Sequence, residues 1–451
     1  MSKKIVLLNS SFVSARKDNV QNTEPHLRVG MALLAAVLRK EGHDVLICDP
    51  QADRSGLAEI VNKIISFCPQ FLGMPAYTEE THDAARIAEA VKKENPGIAT
   101  LVGGHHVTAL PEETLKQFLM FDIGVVGEGE TTFKEVVKGT PLNEVQGIVY
   151  RDDQGGVHLN PPRGEFEDLE AQPFPAWHLY DLNKYHIIPV EPLRGCPYTC
   201  VFCFRALGVN VRYKNPQRIV DEIEHNIVTY GLKRFSLKCG TFPLKKSHAM
   251  EVFQEIIRRN LKIEWIASTR VNTVDEELIR AMKDSGCVDV SLGIESAEPE
   301  ILKQCGKGTS PQQAEKVLKI FKKIGIKSVE MNFILGLPGE TTESLKKTRK
   351  FALKMRHYSS RTNFAILTPF PATAIYDMAE KNKGGYSLRT HDWSEYCKQA
   401  GVALEFDQFS RKELIRFQTG CYLSYYLLSP VKVFKLFSFK RAWGLIKKIF
   451  V

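Results

Sequence analysis

Residues 194–205 read RGCPYTCVFCFR and set Cys196, Cys200 and Cys203 within eight positions of a 451-residue chain that has ten cysteines in all. What the triplet holds decides what the chain around it must build. A structural zinc site closes four ligands, and no second Cys or His pair follows the triplet at zinc-finger spacing. A redox Cys-x-x-Cys pair leaves the third cysteine without a task. A 4Fe-4S cube is soft and thiolate-seeking, and three thiolates on one loop can hold three of its irons while the fourth stays open to a ligand. Three unrelated loop cysteines are the remaining alternative.

Outward from the triplet, length and composition set the class. A chain of 451 residues exceeds one ordinary core and suits two or three domains. Hydrophobic residues at 43% and charged residues at 25% are the proportions of a globular enzyme. The opening MSKKIVLLNSSF is too short and too quickly polar for a secretory signal, and no run approaches the roughly 20 apolar residues of a membrane span. A cytoplasmic protein is expected, and its cysteines are expected as thiols or metal ligands rather than disulfides.

The order of patterns predicts an α/β protein. Apolar runs KIVLLN, DVLICD, FLGMPA, ATLVGG and DIGVVGE alternate with the helical patterns VGMALLAAVLRKEG and EETHDAARIAEAVKKEN. That spacing predicts βαβ crossovers and a Rossmann-like, doubly wound domain over residues 1–140. Residues 141–190, with the short runs GIVYRDD and VHLN and the proline-rich PPRGEFEDLEAQPFPAW, are expected as an interdomain linker. From Glu191 six candidate strands follow: EPLR, RFSLK, KIEWIAS, CVDVSLGIE, SVEMNFILG and TNFAILTPF. They predict a partial (β/α)6 TIM-like barrel over 191–375, with function on the loops after the strands. Residues 376–451 are expected as a mainly helical C-terminal region.

Three further motifs stand where such loops belong. SLGIES carries Gly293, Glu295 and Ser296, and FILGLPGET carries Gly336, Leu337, Pro338, Gly339 and Glu340 on a tight strand-to-helix turn; TPFPATAIYD follows the sixth strand. A glycine turn after a strand is by itself usually only a turn. Together with C-x3-C-x2-C and with Phe202 before its last cysteine, these motifs resemble the radical S-adenosylmethionine (radical SAM) superfamily. The resemblance implies a 4Fe-4S cluster on Cys196, Cys200 and Cys203, and S-adenosylmethionine contacts from Phe202, Gly293, Glu295, Ser296, Gly336, Leu337 and Pro338.

Upstream, LVGGHHVTALPEETL and FDIGVVGEGETTFKEVV resemble the cobalamin-binding domain that precedes the barrel in cobalamin-dependent radical SAM enzymes. The resemblance spans roughly residues 3–375. It implies cobalamin contacts from Thr78, Gly103, Gly104, His106, Thr108, Gly127, Glu128, Gly129 and Glu130, with glycines where a flat macrocycle approaches. The plainer alternative is a set of βα turns in a domain that has lost its ligand. His106 stands between two readings, a corrin contact and a loop histidine bonded to backbone. Domains that put a protein imidazole under cobalt carry Asp-x-His-x-x-Gly, and none of the 12 histidines has aspartate two positions before it. Cobalamin is therefore expected without an axial histidine, with His105 or His106 as the alternative ligand.

The chain departs from the family in two places. P-A-T replaces the usual P-G-T, and Lys238 and Cys239 in FSLKCGTF stand where an acidic pair is common. Cys239 is a candidate hydrogen donor or reactive thiol on the substrate side; a small buried cysteine is the commoner explanation.

The resemblance implies methylation of an unactivated carbon through a 5'-deoxyadenosyl radical and methylcobalamin. Alternatives are a radical cyclase or rearrangement enzyme of the same architecture, and a sensor that has lost turnover, which Lys238 and Cys239 keep open. Implied partners are a small-molecule or lipid-like substrate and a reductant such as flavodoxin or ferredoxin. The formal charge of +9 gathers in the tail, SPVKVFKLFSFKRAWGLIKKIFV, where Lys and Arg interleave with aromatics. That tail suits peripheral contact with an anionic membrane or a cap across the open side of the barrel. Nucleic-acid binding is not expected, because no RNA-binding module accompanies the basic residues.

Overall fold

The structure is a computed structural model that describes residues 1–10, 25–164, 168–397 and 401–427. It contains two compact units, the first made of Met1–His186 with Arg205–Gly208 and Asp392–Glu395, the second of the remainder.

The first unit is built on a seven-stranded sheet: β1 (Lys4–Leu8), β2 (Asp44–Cys48), β3 (Phe71–Pro75), β4 (Ala99–Gly103), β5 (Ile123–Val125), β6 (Ile148–Arg151) and β7 (Val157–Leu159), in the order β2-β1-β3-β4-β5-β6-β7. The first five strands run parallel, with Ile5 opposite both Val45 and Phe71. Their apolar runs are continuous because helices cover both faces; Ile5 to Leu8 are at most 1% exposed. The helix Val29–Lys40 buries Met31, Ala32, Leu33, Ala35 and Leu38, and Thr81–Glu94 buries Ala84, Ala85, Ile87, Ala88 and Val91, each set recurring at helical spacing. Chain order reverses between β1 and β3, the kind of switch point at whose carboxyl edge open α/β sheets bind ligands.

The expected linker contributes two strands to the first sheet. β6 and β7 add to β5 antiparallel, with Ile123 opposite Tyr150 and Tyr150 opposite His158. Ile148 and Val149 are fully buried, so β6 brings an apolar face to a sheet edge that would otherwise stay open. The passage after it is also tied to this unit: Tyr185 donates its hydroxyl proton to Asp49 Oδ2 at 2.6 Å.

The second unit is built on six parallel strands in chain order, β8 (Ile188–Val190), then β11 (Arg234–Leu237), β12 (Glu264–Arg270), β13 (Cys287–Glu295), β14 (Ser328–Leu335) and β15 (Arg361–Ile366), the arrangement of a partial (β/α)6 barrel. EPLR is not its first strand. β8 takes that place, while β9 (Leu193–Arg194) pairs antiparallel with β10 (Arg212–Tyr213) as a separate ribbon. The cysteine-bearing segment 195–211 is the loop of that ribbon.

Downstream, β16 (Tyr386–Leu388) and β17 (Leu404–Phe406) form an antiparallel pair, so the C-terminal region carries strand as well as helix. The helix Arg411–Leu427 covers the free edge of β15: Phe364 donates its amide to Tyr422 Oη at 2.9 Å and accepts from Gln418 Nε2 at 2.6 Å. Residues 429–451, the expected cap or membrane-contacting tail, lie outside the described residues. No helix among the described residues is long and apolar enough to cross a membrane.

Candidate functional site

The cysteine loop is shaped by two glycines. Gly195 sits at φ +86°, and a Cβ there would lie 2.0 Å from the Asn210 carbonyl oxygen, so only glycine lets the two sides of the loop close. A Cβ on Gly306 would lie 2.8 Å from the Thr199 carbonyl oxygen, which makes residue 306 the surface on which the loop rests. Val201 donates its amide to the Cys305 carbonyl at 3.1 Å, and Cys203 donates to the Cys200 carbonyl at 3.0 Å. The loop is thereby held with Cys196 and Cys200 half-buried and Cys203 exposed.

The ends of the parallel strands meet this loop. Arg270, the last residue of β12, donates from Nη1 to Cys200 Sγ at 3.3 Å. Its other amino group donates to the Lys307 carbonyl oxygen. Lys307 in turn pairs through Nζ with Glu295 Oε1 at 2.7 Å, with both side chains buried. Glu295 stands at φ +68° beside a register shift between β13 and β14, a bulge that re-aims its side chain. The room for the pair comes from Gly293, where a Cβ would fall 2.6 Å from Glu295 Oε1 and 2.9 Å from Lys307 Nζ.

The Gly336–Glu340 turn is built from inside. Glu340 Oε2 accepts the amides of Gly336 at 2.6 Å and Leu337 at 3.2 Å. Burial pushes the Glu340 carboxyl up to about 8, so near neutral pH it is largely protonated. Gly336, at φ +89°, leaves space for the Phe406 ring, which a Cβ would meet at 2.5 Å; packing accounts for this glycine without a ligand. Phe202 packs on the same apolar cluster as Leu337, so cysteine loop and turn share one wall. Pro338 is half-buried on the turn itself. Ser296 is fully buried, and its hydroxyl accepts from the Glu298 amide at 3.2 Å and lies 3.4 Å from Thr348 Oγ1.

Cys239 follows β11 close to Cys196: a Cβ on the next residue, Gly240, would lie 3.3 Å from Cys196 Cβ. Desolvation pushes its thiol up, which keeps it protonated and weak as a nucleophile or ligand. Lys238 is exposed.

Among the described residues no three His, Cys, Asp or Glu side chains converge on one metal ion. A four-iron cube does not ask for that, since each thiolate takes a different iron. The donor set otherwise fits such a cube: three thiols on one loop, one of them already receiving a buried guanidinium.

In the first unit the cobalamin candidates share the carboxyl edge of the sheet. Thr78, buried, opens the turn after β3; Gly103, Gly104, His106 and Thr108 follow β4; Gly127, Glu128, Gly129 and Glu130 follow β5. Gly104 lies at φ +96°, and a Cβ there would press on the Ala76 backbone at 3.1 Å. Gly127 lies at φ +77° with nothing within 4 Å of an added Cβ, an open cradle that suits the approach of a macrocycle. Glu130 is turned inward and accepts from Gln172 Nε2 at 3.2 Å. His106 is 1% exposed, neither ring nitrogen has a hydrogen-bond partner among the described residues, and its ring lies 4.8 Å from that of Trp393. Burial, with His82 nearby, holds its imidazole down to about 3, so it is neutral.

Arg270, Lys307 and Trp393 were not foreseen. The signal for the first was available: a cation at the carboxyl end of the apolar run EWIASTR. The pairing of Lys307 with Glu295 and the return of Trp393 to the first unit are contacts between distant residues, which no local pattern announces.

Residues 190–352 match the model of the radical SAM superfamily, and residues 22–137 match that of the B12 binding domain. An uncharacterized methyltransferase of Pyrococcus horikoshii is 35% identical over 445 residues, covering 96% of this chain and 95% of its own. An anaerobic magnesium-protoporphyrin IX monomethyl ester cyclase of Rubrivivax gelatinosus is 28% identical, over 91% of this chain and 75% of its own. In fold, the chain is similar to a radical S-adenosylmethionine methyltransferase of Kitasatospora setae solved with cobalamin and a [4Fe-4S] cluster, at a TM-score of 0.75, 18% identity, and 96% and 90% coverage of the two chains.

Proposed function

This chain belongs to the cobalamin-dependent radical S-adenosylmethionine enzymes, and on that premise we propose that it transfers a methyl group to an unactivated carbon of a small-molecule or lipid-like substrate. The observation that carries this reading is the meeting, at one edge of the six-stranded parallel sheet, of the three-cysteine loop, the buried Arg270 cation and the Glu295–Lys307 pair. When bound, the cluster with S-adenosylmethionine supplies hydrogen abstraction by a carbon radical, and cobalamin supplies the methyl group.

The chain's own residues do the holding and the exclusion. Cys196, Cys200 and Cys203 would bind three irons through their thiolates. Glu295, pinned by Lys307, would present a fixed carboxylate oxygen to ligand hydroxyls, and the backbone of Gly336, Leu337 and Pro338 would line the wall that Phe202 shares. That apolar wall keeps water from a reacting carbon. Thr78, Gly103, Gly104, Thr108 and Gly127 to Glu130 would receive the macrocycle at the carboxyl edge of the first sheet. Cys239, held protonated beside Cys196, would be a hydrogen donor rather than a ligand. The expected domain limits, 1–140 and 191–375, are extended by the sheet strands of 148–159 and by β8, and the proposed assignment is cobalamin to the first unit and radical chemistry to the second. A reductant such as flavodoxin or ferredoxin, a cytoplasmic location and peripheral membrane contact by residues 429–451 belong to the same proposal.

The cyclase among the relatives favours one second reading, a radical cyclisation without methyl transfer. The test uses the full-length, anaerobically reconstituted protein with cobalamin, a chemical reductant and methyl-deuterated S-adenosylmethionine, incubated with fractionated small-molecule and lipid extracts. Methylation yields S-adenosylhomocysteine and 5'-deoxyadenosine together, with deuterium in the product. 5'-Deoxyadenosine alone would move the assignment to the cyclase reading, and neither product would overturn both in favour of a sensor.

A further inference from the structure

We propose that Arg270 is a built-in counter-charge for the Cys200 thiolate and raises the reduction potential of the cluster, an inference that rests on the cysteine loop holding that cluster. Four buried cations lie among the described residues of the second unit: Arg194, Lys214, Arg270 and Lys307, none more than 5% exposed. Three of them face carboxylates, Arg194 at 2.8 Å from Glu191, Lys214 at 3.6 Å from Glu222 and Lys307 at 2.7 Å from Glu295. Arg270 does not. Its partners among the described residues are the Lys307 carbonyl oxygen, Asn272 Oδ1 at 3.2 Å, the Tyr198 ring at 3.6 Å and Cys200 Sγ at 3.3 Å.

A guanidinium stays charged in any protein environment, and burying a cation without an anion is costly. The partner that metal binding turns into an anion is the Cys200 thiol, since a thiol that coordinates metal is deprotonated outright. The site is therefore complete in charge only when the loop carries its cluster. The guanidinium plane is also fixed before the cluster arrives, by the carbonyl, the amide oxygen and a ring that belongs to the cysteine loop itself. Reduction adds one negative charge to the cluster, and a cationic donor on a ligating sulfur stabilises the reduced state more than the oxidised one. Arg270 thus acts through Cys200 as a positioning and tuning residue and needs no contact with substrate.

The experiment is a redox titration of the full chain, reconstituted anaerobically without S-adenosylmethionine and read by paramagnetic resonance of the reduced cluster, with iron and sulfide counted in parallel. Arg270→Met should retain iron and sulfide while the ratio of reduced to oxidised cluster at a fixed poise falls about tenfold, which is about 59 mV for one electron. Arg270→Lys, which keeps the charge and loses the planar fork, should fall by less. A fully loaded Arg270→Met cluster with the potential of the unmodified protein overturns the proposal. Should Arg270→Met not load, Arg270→Gln, which removes the charge and keeps a polar side chain, decides, a measurable fall supporting the proposal and an unchanged potential overturning it. If neither variant loads while both keep the unmodified melting temperature, Arg270 serves assembly and the proposal is overturned. An unmodified chain that assembles no cluster would instead sink the reading of the cysteine loop.

Discussion

The hydroxyl of Thr108 accepts the backbone amide of Gly127 at 3.0 Å, so the loop after β4 and the loop after β5 form one hydrogen-bonded edge. If cobalamin rests on that edge, the bond shapes its seat. Thr108→Val removes the acceptor at nearly constant volume and should weaken cobalamin binding about tenfold, the equivalent of one ordinary hydrogen bond, while Thr108→Ser should not. Equilibrium titration with cobalamin gives the answer; a Thr108→Val protein that binds as tightly as the unmodified one would remove these loops from the site.

Cluster assembly should depend on the loop's backbone as well as on its thiols. Cys196, Cys200 or Cys203→Ala should each abolish iron and sulfide incorporation and 5'-deoxyadenosine formation, whereas Cys48→Ala, buried in the first unit, and Cys68→Ala, exposed there, should spare both. Gly195→Ala keeps every cysteine but drives a Cβ into the Asn210 carbonyl, and it should lose the cluster too. Full iron content in Gly195→Ala would show that the loop tolerates rearrangement.

Glu340 should make the protein less stable in alkali. Burial raises its carboxyl from 4.5 to about 8 in the folded chain, so the stability it contributes is fully present below the unfolded value and is lost as pH rises through about 8. Glu340→Gln keeps an acceptor for the Gly336 and Leu337 amides and has no proton to lose. The melting temperature of Glu340→Gln relative to the unmodified protein should climb between pH 5 and pH 9, by an amount equivalent to a few kcal/mol at ~1.4 kcal/mol per pKa unit. A difference that stays constant across that range would refute the shift.

His106 works in the opposite direction. Its depressed value means that the neutral imidazole under Trp393 stabilises the fold above about pH 6.5, and that this stability is lost as pH falls towards 3. His106→Phe keeps a ring beside Trp393 and should flatten the acid limb of the first unit, followed by amide hydrogen exchange of β4 and β5. Equal acid sensitivity of the two proteins would place the titrating group elsewhere. In the cobalamin-loaded protein, the Co(II) resonance should show no nitrogen splitting that disappears in His105→Ala or His106→Ala.

What the sequence determined by itself is what depends on neighbours along the chain. Continuous apolar runs such as KIVLL and the 3.6-residue spacing of Ala84, Ile87, Ala88 and Val91 report burial directly, and so the two α/β units were legible. Gly104 was legible as a glycine of the loop after a strand, and its positive φ is a local demand. The triplet of cysteines was legible because all three lie on one loop.

Only the tertiary structure decided which edges and charges meet. Residues 148–159 read as a linker because three or four residues of strand carry little periodicity, and their place in the first sheet depends on the free edge of β5, on the other side of an intervening helix. The Phe406 ring against Gly336 was hidden too, because nothing nearby in sequence reveals a contact seventy residues on. Arg270 fell just past the expected strand KIEWIAS and was given no role. Its meaning comes from Cys200, seventy positions earlier, and from the absence of a carboxylate among its partners in the described residues, and a missing counter-ion is visible only once the neighbours of a buried charge are known.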